Sequence, residues 1–518
     1  MRDSLTRLMA NHRDSSKSSA RSAPGAFGLL AVLTAAAILI HGYHFGFDDQ
    51  SAYLPAIKQA LDSSLYPFDA AFFLAQSRLS CFTSAIAASI RLTRLPLEWA
   101  VFAWHFATVF LILSGCWRIA RRCFQTSAAV WGSLALVTTV LTLPVAGTFI
   151  VLCEPYLHNR AIAAGFLLFG FADVLDRKLT AAVWFVLAAL MHPTFALLGL
   201  WHLAVQAWPV PIEKRAALPV AQLSFLVLAA GPVRLFTSWM ADPSDPAWRA
   251  ALSGRGYLFP AQWTWYELFG AFAPLAVLYL YARLAEHHGL ATLARICRRL
   301  VLSGSIGVAA GLVVGLTPAL LPLVPLEPLR TLHLIYLFLA LFGGGLCAEL
   351  LPRPWKLLSA AMLVPLALAM FVAQRAELSA SRHIEWPGAA SGNDWLQAFA
   401  WIRTHTPRDA LFAMNPDYLS LPGENEHGFR GLAERGQLAE SGKDRAVSRN
   451  LPELAWEWRD EVRAQTGIED FDAAQVGELR ARYRVSWLLL RNNGGRAASL
   501  EGLDCPYENP SLRVCRAP

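Results

Sequence analysis

The sequence predicts a polytopic α-helical membrane protein of about eleven spans, followed by a C-terminal extracytoplasmic α/β domain. Three observations lead to this fold class. The 518 residues are 55% hydrophobic and only 16% charged, whereas soluble domains carry about 25% charged residues. Apolar runs of about 18 to 25 residues recur through the first three quarters of the chain, and each is long enough to cross a bilayer as a helix. From about residue 376 the composition becomes that of a soluble domain.

Charge and cysteine content argue against several other classes. The net charge of +7 is spread over short loops, so the sequence does not predict a nucleic-acid-binding protein. The eight cysteines show no CxxC or Cys/His metal spacing. The first apolar run is as long as a span and lacks a small-x-small cleavage site, so we interpret it as a span and not as a cleaved signal peptide.

Basic residues set the predicted topology. Residues 1–25 carry five lysines and arginines, which places this N-terminal segment in the cytoplasm by the positive-inside rule. The first span, at 26–43, then leaves the cytoplasm, and residues 44–96 form a long external loop. We predict the spans at 26–43, 97–117, 127–147, 161–175, two limbs within 180–208, 216–236, 265–284, 300–323, 331–350 and 357–373.

The stretch 180–208 is ambiguous because "MHPT" interrupts it. Taken as one span, it would place Lys214, Arg215 and the later basic loops outside. Taken as two short limbs folded at His192-Pro193, it keeps them inside. We favour the two limbs because proline lacks the N–H that a helix ladder needs, and short limbs survive at membrane depth where neighbours cover them. This topology leaves the C-terminus external.

The last part of the chain, 376–518, predicts a soluble domain large enough for its own core. "WLQAFAWIRTHTPRDALFAM" is typical of an amphipathic helix, a turn and a strand, "VGELRARYRVSWLLLRN" of a helix and a strand, and "YENPSLRVCRAP" of a final strand. A Pro-Tyr-Glu-Asn-Pro turn lies between Cys505 and Cys515. We predict a disulfide between them in an oxidising exterior, the alternative being two free thiols.

Two adjacent carboxylates, Asp48 and Asp49, follow the first span in "HGYHFGFDDQ". Either one can cap a surface helix that starts near Ser51. A cap explains one aspartate, but not two. Adjacent carboxylates repel each other and raise each other's pKa, so a site that keeps both usually offers a cation or shares a proton. Nearby His44 is a possible neighbour of the pair, but a lone histidine at the interface is more often solvated.

Further polar residues lie at the same predicted external rim. "CEPYLHNRAI" offers Glu154, His158, Asn159 and Arg160 to a polar ligand; the alternative is a solvated turn with Arg160 reaching lipid phosphate. His192 lies at the tip of the broken hairpin, as a functional group or as a structural histidine. The candidates nearer the C-terminus are the following: Arg255, Tyr257, Arg330 and His333. Their convergence predicts one cavity at the outer membrane surface.

These features resemble the GT-C superfamily of integral membrane glycosyltransferases, specifically in the acidic "FDDQ" after the first span, the "HNR" and "HP" turns and the phrases of the tail. The resemblance makes 26–375 a GT-C-like transmembrane domain of a bacterial inner-membrane protein. It implies a polyprenyl-phosphate-linked sugar as donor. One aspartate, with Asp49 slightly favoured, would act as base. The other would orient the acceptor or hold a divalent cation, while Arg330, Arg160 or Arg255 stabilises the leaving phosphate.

Two other functions fit the sequence. A transporter of a lipid-linked intermediate would need polar groups at mid-depth, whereas the predicted spans have few charged residues in their centres. A non-catalytic relative that binds membrane lipid would keep the architecture without turnover. The metal requirement, the sugar and the acceptor stay open.

Overall fold

Long apolar helices make up most of the N-terminal three quarters of the chain. The computed structural model describes residues 23–207, 241–421, 424, 426–492 and 503–518. Its helices up to the tail are α1 Ala23–His41, α2 Gln50–Leu61, α3 Ala71–Ser77, α4 Phe82–Thr93, α5 Leu97–Cys123, α6 Ser127–Thr139, α7 Asn159–Leu175, α8 Thr180–Met191, α9 Pro193–Ala207, α10 Pro246–Ser253, α11 Trp265–His287, α12 Ala291–Leu316, α13 Leu332–Leu350, α14 Arg353–Ala361 and α15 Leu363–Glu377.

Within these ranges, five helical stretches are long and apolar enough to cross a membrane: Leu97–Cys123, Trp265–His287, Ala291–Leu316, Pro328–Leu350 and Arg353–Glu377. Several others are apolar but shorter. These apolar helices identify a membrane protein, but they do not confirm the predicted count of eleven spans. The span predicted at 216–236 lies outside the described residues.

The predicted span 127–147 is helical only as far as Thr139. The chain then forms a short antiparallel hairpin of β1 Pro144–Val145 and β2 Ile150–Val151. Pro144 has no N–H for a helix, and Gly147 has a φ of +70° beneath the Trp263 ring, where a Cβ would come within 2.4 Å of a ring carbon. Only glycine fits that turn. The helix therefore ends before the turn, although the apolar sequence pattern continues through it.

The hairpin at 180–208 is broken where the sequence predicts. Helix α8 ends at Met191 and α9 begins at Pro193, with His192 extended between them at φ −151° and ψ 90°. The interior packs around α13, which contributes Phe338 and Phe342 to the core. By contrast, α14 and α15 have no buried residues, as is typical of helices that face lipid.

The tail folds around a five-stranded mixed sheet in the order β4-β3-β5-β7-β6. Strand β3 pairs in parallel with β4 and β5, and β7 pairs antiparallel with β5 and β6. The helices and strands predicted from the three tail phrases form here. The elements are α16 Asp394–His405, β3 Leu411–Met414, α17 Phe429–Ala433, β4 Gly436–Gln437, α18 Lys443–Asn450, α19 Ala455–Gln465, α20 Ala473–Tyr483, β5 Trp487–Arg491, β6 Tyr507–Glu508 and β7 Leu512–Arg516.

A disulfide joins Cys505 to Cys515. It ties the segment before β6 to the final strand β7. The boundary of the tail domain at 376 stays a prediction.

Residues 42–50, here called the exit loop, follow α1. Backbone hydrogen bonds join this loop to the C-terminal tail. Tyr43 forms a parallel bridge with Ile384, in which Tyr43 N–H donates to the carbonyl of His383 and Glu385 N–H donates to the carbonyl of Tyr43. On the other side, Asp48 N–H donates to the carbonyl of Glu426 at 2.8 Å. The exit loop is therefore held between two segments that lie more than three hundred residues further along the chain.

Candidate active site

A cavity of about 880 Å³ lies where the exit loop, the β1–β2 hairpin and the tail meet. It gathers nearly every residue that the sequence predicts for the site, and Lys443 and Arg449 of α18 as well. The predicted residues on its wall are the following: Asp48, Asp49, Glu154, His158, Asn159, Arg160, His192, Arg255, Tyr257 and Arg330. His333 lies behind the wall, where its Nε2 contacts the carbonyl of Leu152 at 2.9 Å.

The exit loop turns both carboxylates into this cavity. Asp48 adopts a φ of +47°, a left-handed conformation that aspartate tolerates better than most residues. Asp49 occupies the N-cap position of α2 but makes no capping hydrogen bond with its side chain. Because neither oxygen is used by the helix end, capping does not account for this carboxylate.

One ammonium group bridges the two carboxylates. Nζ of Lys443 lies 2.7 Å from Oδ1 of Asp49 and also contacts Oδ1 of Asp48. The other oxygen of Asp48 accepts from the Tyr156 hydroxyl at 2.7 Å. The two aspartate side chains are 31% and 30% exposed, so each keeps a face open to the cavity.

The charges fix the protonation of this group. Burial alone would raise the pKa of the Asp49 carboxyl, but Lys443 and His158 hold that pKa well below its usual range. Burial would lower the pKa of Lys443, and Asp48 and Asp49 instead raise it. Lys443 therefore occupies the place of a cation shared by the two carboxylates. A divalent cation held by these oxygens would have to displace it.

His158 orients Asp49. Arg160 N–H donates to Nδ1 of His158 at 2.9 Å, which assigns the imidazole proton to Nε2. That Nε2–H donates to Oδ2 of Asp49 at 2.8 Å. His158 thus caps the first turn of α7 and positions the carboxylate at once. Arg160 forms a buried ion pair with Glu154, so the alternative of a solvated turn with Arg160 reaching lipid is wrong.

A second wall of the cavity is cationic. Arg330 pairs with Glu327, and Arg449 pairs with the same carboxylate at 2.9 Å. Arg449 also donates to the Tyr257 hydroxyl at 2.9 Å. Arg255 donates to the carbonyl of Gly442 at 2.8 Å. Three guanidinium groups against one carboxylate leave this wall positive, as a phosphate site requires.

Glu426 also lines the cavity. Burial and the neighbouring Asp48 raise its pKa to about 7. His192, by contrast, has a structural contact, because its Nδ1 accepts from Phe195 N–H at 3.3 Å in the first turn of α9.

Sequence reasoning missed Glu327, Glu426, Lys443 and Arg449. Glu327 stands in the turn "LEPLR", three residues before Arg330, and this proximity is a usable signal. The other three belong to the tail, which the sequence predicts to be a soluble domain. They line the cavity because the tail packs against parts of the chain that are distant in sequence. His44 is not solvated as expected: it is 1% exposed.

No protein-family model matches the sequence, and no curated protein matches it. Solved structures similar to it include two oligosaccharyltransferase structures. One is the archaeal oligosaccharyltransferase AglB from Archaeoglobus fulgidus in complex with an inhibitory peptide and a dolichol-phosphate, with 11% identity, a TM-score of 0.42, and coverage of 90% of this chain and 69% of that one. The other is the Archaeoglobus fulgidus oligosaccharyltransferase in complex with Zn and sulfate, at 10% identity, a TM-score of 0.43, and 89% and 67% coverage.

Both neighbours are oligosaccharyltransferases.

Proposed function

We propose that this chain is a membrane glycosyltransferase that moves a sugar from a polyprenyl-phosphate donor to an acceptor on the extracytoplasmic face of a bacterial inner membrane. One observation carries the proposal: a single cavity has the Asp48–Asp49 carboxylates on one wall and the guanidinium groups of Arg255, Arg330 and Arg449 on another. Transfer from a phosphate leaving group needs both an acceptor-side base and a donor-side cation.

The cavity also borders the apolar surface that a lipid donor requires. Met370, Ala373 and Gln374 of α15 line it, and α15 belongs to the stretch Arg353–Glu377, which is long and apolar enough to cross a membrane. A prenyl chain lying along α15 would bring its phosphate to the cationic wall, while a water-borne acceptor enters beside the tail.

The reaction is a displacement at the anomeric carbon. The acceptor oxygen forms the new bond to that carbon as the bond to the phosphate oxygen breaks, and the phosphate leaves with the electron pair. The acceptor proton goes to a carboxylate, and one displacement inverts the anomeric centre. The guanidinium groups stabilise the negative charge that grows on the phosphate.

Asp49 and Glu426 are the two candidates for the base. Asp49 is oriented by His158 and Lys443, but its low pKa makes it a weak base until Lys443 moves away. Glu426 has a pKa of about 7, which suits proton transfer near neutral pH. We retain Asp49 as the base because it is rigidly held. With Asp49 in that role, Asp48 orients the acceptor, and Glu426 is the alternative base.

The test uses the full chain in proteoliposomes that contain polyprenyl-phosphate-linked hexoses or pentoses. Mass spectrometry would follow the release of free polyprenyl phosphate with and without an envelope extract as acceptor. We expect acceptor-dependent release that falls in Arg255→Gln, whereas Arg482→Gln, which removes a guanidinium that is 66% exposed in the tail, serves as the matched control.

Binding of polyprenyl phosphate without release from any donor would contradict the transferase and leave a non-catalytic lipid-binding protein. Movement of the intact lipid-linked sugar between leaflets, without release, would identify the transporter.

A further inference from the structure

Three metal-ligating side chains meet beside the exit loop and outside the cavity wall. They are His44 of the exit loop, Glu385 of the segment after α15, and His427 before α17. The two histidines are each 1% exposed, and the Glu385 side chain is 13% exposed. Proximity to the carboxylate pair does not explain them, because none of the three lines the cavity.

The distances are those of a metal site with imidazole and carboxylate ligands. Nδ1 of His44 lies 3.5 Å from Oε1 of Glu385, and Nε2 of His427 lies 2.9 Å from the same oxygen. The ligand atoms of the three residues all lie within 4.8 Å of one another. Ligand atoms around a tetrahedral zinc with bonds of about 2.0 Å are roughly 3.3 Å apart, so a small closing motion completes the site.

An ion pair alone does not account for this cluster. Within the part of the chain that the structure describes, neither ring nitrogen of His44 makes a hydrogen bond. A neutral imidazole carries one N–H and one acceptor nitrogen, and a buried polar group without a partner is destabilising. Nδ1 has only the 3.5 Å contact with Glu385, and a metal bound there would replace this long contact with a coordinate bond.

Backbone hydrogen bonds hold together the segments that carry the three ligands. His44 N–H donates to the carbonyl of Pro155 at 2.8 Å, and Gly428 N–H donates to the carbonyl of Gly46 at 2.8 Å. Phe45 N–H donates to Oε2 of Glu385 at 2.9 Å, which orients the carboxylate as an outer hydrogen bond does around a metal ligand. The three ligands are therefore held in place by segments that already interlock.

We propose that His44, Glu385 and His427 form a structural Zn²⁺ site that fastens the exit loop to the two tail segments beside it. Two imidazole nitrogens and one carboxylate oxygen, with water as the fourth ligand, bind zinc in several metalloenzymes, and here the same ligand set lies outside the cavity. The site holds Asp48 and Asp49 in position through the loop and takes no part in the reaction.

The test measures metal content and stability of the purified full chain. After chelation and removal of the chelator, ZnCl₂ is added and free metal is dialysed away. We expect about one Zn²⁺ per chain by mass spectrometry, and a higher melting temperature in the zinc-loaded protein. His44→Ala and His427→Ala should each lose that zinc and the rise in melting temperature.

Two controls make the outcome decisive. The double variant His287→Ala/His288→Ala removes an exposed histidine pair whose rings are 4.9 Å apart, and it should retain the zinc. Asp48→Asn/Asp49→Asn should retain it as well. No zinc in the wild type, or unchanged zinc in His44→Ala, would overturn the proposal. If His44→Ala does not fold, X-ray absorption of the zinc-loaded wild type decides: two imidazole ligands support the site, and none overturns it.

Discussion

Among the residues that the structure describes, two pairs of carboxylates each share one cation, and both cations, Lys443 and Arg430, belong to the tail. At the cavity, Lys443 bridges Asp48 and Asp49, which are about one third exposed. Behind it, Arg430 bridges Asp69 and Asp444, each 5% exposed. The charge patterns are alike, and only access differs.

The difference in exposure separates the Arg430 cluster, which is structural, from the Lys443 cluster, which we interpret as functional. Arg430 donates to Asp444 at 2.8 Å, to Asp69 at 3.0 Å and to the carbonyl of Gln437 at 3.0 Å. These carboxylates are buried, so we interpret the cluster as one that holds the tail to residues 44–96. The Lys443 cluster has an open face, and a substrate can exchange partners with it.

The largest effect is expected on the buried side of this comparison. Arg430→Met leaves two buried carboxylates without their cation, which should destabilise the protein by about 3 to 5 kcal/mol. Denaturant titration of the purified protein in detergent would measure the loss. Arg482→Met removes the exposed pair with Asp460 and should cost less than about 1 kcal/mol. Equal losses of stability in the two variants would show that the Arg430 cluster does not hold the tail to residues 44–96.

The next effect is on turnover. Asp49→Asn keeps the shape of the side chain and removes its charge, so turnover should fall at least about a hundredfold if Asp49 is the base. Stability should change by less than about 1 kcal/mol, because Lys443 keeps Asp48 as its partner. The release assay and thermal unfolding would measure the two quantities. Full turnover in Asp48→Asn/Asp49→Asn would falsify a catalytic role for the pair.

The two clusters also show what the sequence can and cannot predict. Asp48, Asp49, the "HNR" turn and the break at Pro193 are recognisable because local chemistry marks them. Lys443 is separated from Asp48 and Asp49, and Arg430 from Asp69, by more than 350 positions, and nothing local in "SGKDRAV" distinguishes the lysine that reaches the cavity. The end of α6 at Thr139 was also missed, because apolarity continues through a turn that Gly147 alone permits.

Lys443 provides a more moderate test of the same comparison. Lys443→Met leaves adjacent carboxylates that repel each other, and turnover should fall about tenfold, on the scale of one partly exposed ion pair. Added Mg²⁺ or Mn²⁺ should restore part of it, since carboxylate oxygens are their preferred ligands. Lys178→Met, at an exposed lysine, should leave turnover unchanged. Wild type that is stimulated by Mg²⁺ as strongly as Lys443→Met would contradict the view that the ammonium fills the cation position.

The smallest effect is expected from pH. Burial and Asp48 raise the pKa of Glu426 to about 7 from an ordinary value of 4.5. Between these two values the folded protein binds the proton and the unfolded chain does not, so this group makes the free energy of unfolding fall as pH rises through that window. Glu426→Gln removes this contribution and should raise the melting temperature relative to wild type, more at pH 8 than at pH 4.5.

The same variant decides between the two candidate bases. If Asp49 is the base, Glu426→Gln should keep most of the turnover at pH 8, and turnover should depend less on pH between 6 and 8. If Glu426 is the base, its loss should reduce turnover by about a hundredfold or more at every pH, while Asp49→Asn acts mainly on acceptor binding. A melting-temperature difference between Glu426→Gln and wild type that does not change with pH would show that this carboxyl is not perturbed by Asp48. In that case the acidic pair would act on the cavity through Lys443 alone.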